Sequence, residues 1–241
     1  MAVLSDSGIK ESLIPEEEAV KAKEWFIKRK WDVIKERILI YPFNPDHLGP
    51  FTYDLSVGEE AYLLREGRKI DLKKEGKVVV QPGETVLILT KEYIGLPRTI
   101  VGLVQMRARV VFEGIIASAT KVDPTWYGKL VIAVANHSKG VMELLYEEPF
   151  CSLVLFKLDK PCEKILTKDR TPFLGQESII FKPRYVIPWA PKSPDVVTKE
   201  DVEKMVNIFG RPFDIVRGMG RLVRNEIVDY IEREWGPHVL R

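Results

Sequence analysis

Apolar and polar positions divide the chain into a helical beginning, a strand-rich middle and a helical end. From residue 52 to residue 135, short β-branched apolar runs alternate with turn residues, and no long helical pattern interrupts them. Residues 85–89, 100–105 and 153–158 are predicted as strands, and Gln81-Pro82-Gly83-Glu84 as a turn. Many short strands separated by turns favour a mainly β fold, a barrel or a sandwich, over βαβ units.

The first 36 residues carry a helical pattern instead. Residues 5–13 fit a short helix. Pro15 and the three glutamates after it are typical of a second helix start, because proline fits the first turn and acids favour the positive end of the helix dipole. This second helix is predicted to run to about residue 35. Its buried stripe would comprise Ile27, Trp31 and Ile34.

The chain changes character again after residue 182, where four prolines predict an irregular linker. Thr198 then begins a predicted helix that ends at Gly210, and Pro212 begins a second one. We therefore predict two regions. Residues 1–184 form a β domain with a helical insertion at about 15–36, and residues 185–241 form a linker and a C-terminal helical extension.

Composition limits the function classes. The formal net charge is only +2, so the sequence predicts no nucleic-acid partner, and any phosphate must be bound by a local cluster. No uncharged apolar run approaches the roughly 20 residues that span a bilayer, so no membrane association is expected. The N-terminus lacks the pattern of a secretion signal, and two cysteines fit a reducing compartment. We expect a soluble, cytoplasmic protein.

Several kinds of site are excluded by residue spacing. Cys151 and Cys162 are not in a metal-binding spacing, and no histidine lies within a few residues of a cysteine. The metal-ligand pattern of zinc-dependent deaminases is therefore missing, and a structural zinc site is not expected. Neither of the glycine-rich patterns that cradle phosphates at a helix start occurs.

One stretch, residues 119–128, concentrates reactive side chains between apolar runs at 110–117 and 130–135. The apolar runs are predicted as strands, and the stretch between them as a hairpin. A turn that only reverses the chain needs no Trp126 beside Asp123. The indole could stack on a flat ring, while the carboxylate could accept a proton and Lys121 could meet a phosphate. The alternative is a solvent-facing hairpin whose aromatics pack on a neighbouring element.

Short motifs follow one another along residues 3 to about 184. In chain order they are Val3-Leu4-Ser5-Asp6, Arg37-Ile38-Leu39-Ile40-Tyr41-Pro42-Phe43-Asn44-Pro45, Leu48-Gly49-Pro50-Phe51-Thr52-Tyr53-Asp54-Leu55-Ser56-Val57-Gly58, Gln81-Pro82-Gly83-Glu84, Leu96-Pro97, Val122-Asp123-Pro124-Thr125-Trp126-Tyr127-Gly128 and Gly175-Gln176. This ordered set resembles the dCTP deaminases and the related dUTPases.

The resemblance implies a distorted antiparallel β-barrel, dUTPase-like and of jelly-roll type, that works as a homotrimer with active sites between subunits. A pyrimidine deoxynucleoside triphosphate would bind there, with Mg²⁺ bound through the nucleotide phosphates. Asp123 would be the catalytic residue, contacting the deoxyribose hydroxyl or a catalytic water. Trp126 would line the base pocket with Val122, and Ala119 would let the base lie against the backbone.

Other residues would bind the phosphates. Lys121 replaces a family arginine, and Arg107 matches another. If residues 107–109 form a strand, Arg107 and Arg109 share a face and could clamp a phosphate. Interfacial ion pairing is the alternative role for the two arginines. Gln176 begins the segment that resembles the family's phosphate cover.

The departures from the family pattern fall on the chemistry. In dCTP deaminases, the strand after the hairpin carries a glutamate that activates water. Counting from Gly128 along this strand, the corresponding residue here is Ala133. A methyl group cannot move a proton, and the neighbours on the same strand face, Val131 and Ala135, are also inert. Ala108 replaces a phosphate-side serine, and Phe112 stands where the family has its next arginine.

Three functions therefore remain open. The first is a dCTP deaminase-type enzyme, which whole-chain resemblance favours and Ala133 opposes. The second is a dUTP diphosphatase-type hydrolase, in which Asp123 orients water at the α-phosphate. The third is a nucleotide-binding trimer without catalysis, which the cluster of lost groups favours.

Overall fold

The computed structural model describes residues 2–117 and 120–180. The strands in these residues are β1 (Ala2–Val3), β2 (Leu39–Tyr41), β3 (Thr52–Leu63), β4 (Arg68–Asp71), β5 (Lys77–Val80), β6 (Thr85–Gly95), β7 (Ile100–Met106), β8 (Ile115–Ala117), β9 (Thr120–Val122), β10 (Tyr127–Asn136), β11 (Met142–Leu145) and β12 (Pro149–Lys157). The helices are α1 (Asp6–Ser12), α2 (Ala19–Ile27), α3 (Trp31–Ile34), α4 (Leu72–Glu75) and α5 (Ala108–Phe112). Single 3₁₀ turns lie at Glu16–Glu18 and Pro45–His47.

Ten of these strands form one antiparallel sheet, whose central order is β8-β10-β6-β3-β12-β7-β9. Strands β1, β2 and β4 add to β12, β6 and β3, while β5 and β11 pair separately. The sheet curls strongly into a distorted half-barrel, which confirms the predicted mainly β, dUTPase-like class. The register of β3 against β6 shifts between Val57 and Ala61, as bent strands require. Gly58 lies in this shift, where an added Cβ would stand 2.6 Å from the backbone of Thr90.

Alternation along the strands places the core inside the curl. On β10, Ile132 and Val134 are buried, whereas Val131, Ala133 and Ala135 are half-buried on the opposite face. Burying one large aliphatic side chain contributes roughly 1.5–3 kcal/mol, so the inner face carries most of the stabilisation. The outer face of β10 is thereby left available to form a wall of a site.

The predicted strands at 85–89, 100–105 and 153–158 lie in β6, β7 and β12, although β12 ends at Lys157. The turn at residues 81–84 is also confirmed, because the Glu84 N–H donates to the Gln81 carbonyl at 3.0 Å.

The prediction of one strand over residues 110–117 is wrong in its first half. Residues 108–112 form helix α5, and only residues 115–117 form β8. Gly114 separates them with a φ of 88°, a conformation that glycine adopts without strain. The β-branched residues of α5 had favoured a strand, but local propensity is weaker than tertiary context.

The predicted hairpin is also only partly correct. Strands β8 and β10, on its two sides, do pair antiparallel. The chain between them, however, contains β9, which pairs with β7 rather than with β10. Strand β9 therefore lies at the opposite end of the strand order from β8. The stretch between the two predicted strands is for this reason not a tight turn.

The N-terminal helices lie where they were predicted, but the second predicted helix is interrupted. Helix α1 begins after Ser5, whose hydroxyl accepts from the Gly8 N–H at 3.2 Å. The predicted second helix breaks between α2 and α3, where Arg29 takes a φ of 55° and donates to the Leu166 carbonyl at 3.2 Å. The break changes the buried stripe: Ile34 is buried, but Ile27 is 53% exposed.

Helix α2 buries Ala19, Ala22, Trp25 and Phe26 instead of the predicted stripe, and it packs beside β2 and β6. None of the helices in the described residues is long and apolar enough to cross a membrane. The predicted linker, the domain boundary near residue 184 and the C-terminal helices lie outside the described residues.

Candidate functional site

A cavity of about 280 Å³ opens between the first half of β10 and the chain that follows β12. Its lining is mostly apolar, with a few polar groups, as is usual for small-molecule sites. The lining residues are Leu87, Thr120, Lys121, Trp126, Leu130, Val131, Phe173, Gln176, Ile179 and Ile180. The cavity therefore brings together three of the predicted substrate-binding residues, Lys121, Trp126 and Gln176.

One side of the cavity is formed by residues 173–180, which we call the covering segment. It lies directly along β10: the Gly175 N–H donates to the Tyr127 carbonyl at 2.7 Å, and the Lys129 N–H donates to the Gln176 carbonyl at 2.8 Å. Gly128, with a φ of 126°, permits this approach, because an added Cβ would stand 3.0 Å from the Gln176 nitrogen. The fold thus attaches the covering segment by main-chain hydrogen bonds.

Lys129, whose backbone N–H takes part in this attachment, is itself held by an ion pair. Its side chain is only 10% exposed, and its ammonium group pairs with the carboxylate of Glu59, which Lys73 also approaches at 3.7 Å. Burial alone would raise the pKa of Glu59, but hydrogen bonding to Lys129 and the charges of both lysines outweigh it and lower the pKa. The Glu59 carboxylate is therefore charged at neutral pH, and its pairing with Lys129 fixes the beginning of β10.

Gln176 is 7% exposed and offers an unused acceptor. Its Nε2 donates to the Lys129 carbonyl at 3.2 Å, and since a carbonyl only accepts, this contact fixes the amide orientation. Oε1 has no hydrogen-bond partner among the described residues. A buried acceptor without a partner costs about 1–3 kcal/mol, so a ligand donor at this place would be stabilising.

Lys121 and Asp123 form an ion pair at the rim of the cavity. The Lys121 Nζ lies 2.5 and 2.7 Å from the two carboxylate oxygens of Asp123. The side chains are 67% and 37% exposed, so the pair is accessible to solvent. Exposed pairs contribute only about 0.2–1 kcal/mol, which means that a phosphate could replace Asp123 as the partner of Lys121 at little cost.

The indole of Trp126 is held in the cavity wall by its own turn. Its Nε1 donates to the Gly128 carbonyl at 3.2 Å, and its backbone N–H donates to the Asp123 carbonyl at 3.1 Å. Thr125 precedes it with a φ of 68°, which is rare for a β-branched residue. Its hydroxyl accepts from the Leu166 N–H at 2.9 Å. These contacts place the indole and the Asp123 carboxylate on the same short turn.

Among the predicted residues that the structure describes, Val122, Asp123, Arg107 and Arg109 do not line the cavity, although Asp123 pairs with Lys121, which does. Val122 is 1% exposed and packs in the core of the sheet. Ala119 lies outside the described residues.

The prediction that Arg107 and Arg109 share one strand face is wrong. Arg107 precedes α5 and Arg109 lies within it, and residues two apart on a helix do not face each other. Arg107 pairs with Asp54 at 3.1 Å, whereas Arg109 pairs with Glu113 at 3.5 Å. Both line a different, smaller cavity of about 60 Å³.

Ala133 faces an apolar cluster rather than a polar catalytic group. It packs against Leu87, Leu89 and Ile179 on the outer face of β10, beside Val131. A carboxylate at this position would have to enter apolar surroundings, which raise the pKa of an acid and disfavour its charged form. The apolar cluster around residue 133, which shares Leu87 and Ile179 with the cavity wall, therefore disfavours a charged side chain.

Sequence reasoning missed most of the apolar lining. Leu87 and Leu130 lie in predicted strands, and their side-chain direction could have been found from strand alternation. Phe173, Ile179 and Ile180 follow no period, so no signal in the sequence placed them over the cavity. Among the described residues, no group of three or more His, Cys, Asp or Glu side chains could hold a metal.

Comparison with known proteins gives a consistent relationship. A family model described as dCTP deaminase-like matches residues 26–158. A dCTP deaminase of Pyrococcus abyssi is 42% identical over 154 residues, 64% of this chain and 96% of the relative. A dCTP deaminase of Pyrococcus horikoshii is 44% identical over 145 residues, 60% of this chain and 86% of the relative.

Among solved structures, a 2'-deoxycytidine 5'-triphosphate deaminase from Agrobacterium tumefaciens aligns with a TM-score of 0.47 at 13% identity, covering 66% of this chain and 49% of that one. The family model covers more than half of the chain, and the Pyrococcus relatives are matched over most of their length. The chain therefore belongs to the dCTP deaminase-like family.

Proposed function

We propose that this protein binds a pyrimidine deoxynucleoside triphosphate in the cavity at Trp126 and hydrolyses it at the α-phosphate, as a dUTP diphosphatase does. The observation that carries this proposal is the position of Lys121 and Asp123 at the rim of an apolar cavity with an indole wall. The family relationship supports the nucleotide class. The chemistry is assigned to the rim because the surroundings of Ala133 are apolar.

The residues act in a defined order in this mechanism. The base packs against Trp126, and Lys121 leaves Asp123 for a phosphate oxygen. The freed Asp123 carboxylate then orients a water molecule toward the α-phosphorus and accepts its proton. The bond between the α-phosphorus and the bridging oxygen breaks, which gives a nucleoside monophosphate and pyrophosphate.

Gln176 acts on a different part of the ligand than the sequence predicted. Phosphate oxygens at neutral pH only accept hydrogen bonds, and the partnerless atom of Gln176 is itself an acceptor. In our proposal this Oε1 receives a hydrogen bond from the base or the sugar, not from the phosphate.

The proposal includes Mg²⁺ bound through the phosphates. The described residues offer no cluster of metal ligands, but the exposed Asp123 carboxylate at the rim is compatible with an ion held mainly by phosphate oxygens. When bound, Mg²⁺ neutralises charge that develops on these oxygens. A cytoplasmic location stays a prediction from the sequence.

We propose that the outer surface of α5 and β8 is a contact between the subunits of the homotrimer that the sequence resemblance implies. Phe112 is 87% exposed, and Val111 and Ile116 beside it are 43% and 51% exposed. A contiguous apolar surface of this kind is typical of a protein contact. Arg109, which is exposed on the same helix, would then be available to the nucleotide of a neighbouring subunit.

Solution mass tests this assembly. We expect light scattering to give three times the chain mass, and Phe112→Asp to shift the mass toward that of one chain. Val20→Asp is a matched control, because Val20 is 68% exposed on a different surface. A wild-type mass equal to one chain would contradict the trimer.

dCTP deamination is the second candidate, because close relatives over 86–96% of their length are dCTP deaminases. One experiment separates the candidates: incubation with dCTP or dUTP and Mg²⁺, followed by assays for ammonia and pyrophosphate. Pyrophosphate from dUTP is the expected result, and ammonia from dCTP would contradict the proposal. If neither product forms but dUTP raises the melting temperature, the protein binds nucleotide without catalysis.

A further inference from the structure

The covering segment has a second attachment, away from β10. Glu60 on β3 accepts hydrogen bonds from the Ser178 hydroxyl at 2.8 and 2.9 Å and from the Ile179 N–H at 2.8 Å. Lys69 on β4 completes the cluster: its Nζ lies 3.0 Å from Glu60 and donates to the Ser178 hydroxyl at 2.8 Å. One carboxylate therefore joins two strands to the covering segment.

The charge of Glu60 strengthens these contacts. Burial alone would raise its pKa, but the N–H of Ile179, the hydroxyl of Ser178 and the ammonium of Lys69 together hold the pKa below its ordinary value. Asp71, the register partner of Glu60 on β4, is directed to the Lys73 N–H and to Lys74. Glu60 is thus a carboxylate that is charged at neutral pH, and charge-assisted hydrogen bonds of this kind are stronger than neutral ones.

The contacts of Glu60 lead directly to the cavity. Ile179, whose N–H it binds, lines the cavity and packs against Leu87, Leu89 and Ala133. Gln176 lies three residues earlier on the same segment. Glu60 itself does not line the cavity, so any effect on a ligand must pass through the covering segment.

We propose that Glu60 is a positioning residue whose carboxylate docks the covering segment over the cavity and thereby sets the affinity for the bound nucleotide. The nucleotide part rests on the function proposed above, whereas the docking part concerns the protein alone. Neutralising Glu60 releases Ser178 and Ile179, while the main-chain hydrogen bonds of Gly175 and Gln176 to β10 stay, so the cavity loses part of its cover without losing any group at its rim.

The test compares Glu60→Gln, which keeps the shape and removes the charge, with the wild-type full chain. Amide hydrogen exchange without ligand is measured at Ile179 and at Lys129, whose N–H binds the Gln176 carbonyl. We expect protection at Ile179 to fall by about tenfold or more, since a locally released segment exchanges without global unfolding. Glu66→Gln is the control, because Glu66 is exposed and pairs only with Arg68 among the contacts of the described residues.

A pH series separates docking from a merely structural role. In the wild type, protection at Ile179 should fall as pH drops through the lowered pKa of Glu60, whereas Glu60→Gln should lack this step. Equal protection in both proteins at neutral pH would overturn the docking.

The affinity is measured with dUTP and Mg²⁺ by tryptophan fluorescence. We expect Glu60→Gln to raise the Kd about fivefold or more while kcat changes less, because Asp123 and Lys121 stay in place. Unchanged affinity in Glu60→Gln would overturn the effect on the nucleotide. If the wild type binds no nucleotide, the proposed function and the affinity effect are both wrong, and the exchange data still decide the docking.

Discussion

The cavity has two sides that differ in chemistry. The rim, formed by Lys121 and Asp123, is charged and exposed, while the wall, formed by Leu87, Val131 and Ile179, is apolar, and Ala133 packs against the same apolar cluster. A charged, accessible rim can bind phosphate and orient water, whereas an apolar wall can only hold a flat ring and exclude solvent. The difference teaches that the charged side chains lie at the rim, which supports the proposed reaction at the phosphates more than proton transfer at the base.

The largest effect is expected at the rim. Asp123→Asn keeps the shape of the side chain but removes the base, so turnover of dUTP should fall about 10²–10⁴-fold. Pyrophosphate release under saturating dUTP and Mg²⁺ measures it, and Asp159→Asn, which changes an exposed aspartate on another loop, should leave it unchanged. Retained turnover in Asp123→Asn would remove Asp123 from the mechanism.

Substitution of Ala133, in the apolar cluster beside the wall, should change the stability of the protein and not its reaction. Ala133→Glu places a carboxylate among Leu87, Leu89 and Ile179, and we expect the free energy of unfolding to fall by about 2–4 kcal/mol at neutral pH. Thermal unfolding measures the loss, and Ala133→Gln separates the charge from the volume.

Ala135→Glu is the matched control for position, because Ala135 lies on the same face of β10 but outside the apolar cluster. We also expect Ala133→Glu to release no ammonia from dCTP, since the surrounding wall would keep the new acid protonated. Ammonia release by this variant would show that the wall still tolerates base chemistry.

The rim was predictable from the sequence, whereas only the beginning of the cover, at Gln176, was indicated by the family resemblance. Asp123, Lys121 and Trp126 were found because reactive residue types stand together within a short turn between apolar runs. The covering segment has no period, and it is fixed by Glu60 and Tyr127, which are distant in sequence. Contacts of this kind depend on the completed fold, and no local pattern encodes them.

The same reason explains the error at Arg107 and Arg109. Their spacing suggested a shared strand face, but residues 108–112 form helix α5 despite their β-branched valines, and Gly114 follows the helix with a positive φ. The strands β6, β7 and β12 were predictable because long apolar runs with turn signals leave few alternatives. Sequence patterns therefore predict the type of an element reliably where its apolar run is long, but they do not predict the geometry of the site.

Glu92 is a carboxylate buried in the core, unlike the exposed carboxylate at the rim, and it should make stability depend on pH. Glu92 is 2% exposed and accepts from the Ser56 N–H at 2.9 Å, and burial raises its pKa to about 6. The folded state therefore holds a proton that the unfolded state releases, so stability should fall as pH rises from 4.5 to about 6. Glu92→Gln should abolish this fall and raise the free energy of unfolding at pH 7.5 by up to about 2 kcal/mol. Urea unfolding at both pH values measures it, with Glu66→Gln as the control, and a loss of stability at pH 7.5 would contradict the assignment.

The smallest effect on stability, and the most specific one on binding, is expected at Lys121. Its ion pair with Asp123 is exposed, so Lys121→Gln should change the free energy of unfolding by less than about 1 kcal/mol. Because this ammonium is the cation that lines the cavity among the described residues, the Kd for dUTP should nevertheless rise about tenfold, and less at high salt. Lys28→Gln removes a similarly exposed pair, with Glu24, and should alter neither quantity. If Lys121→Gln lowered stability without affecting the Kd, the pair would be a structural contact and the rim would lose its role in phosphate binding.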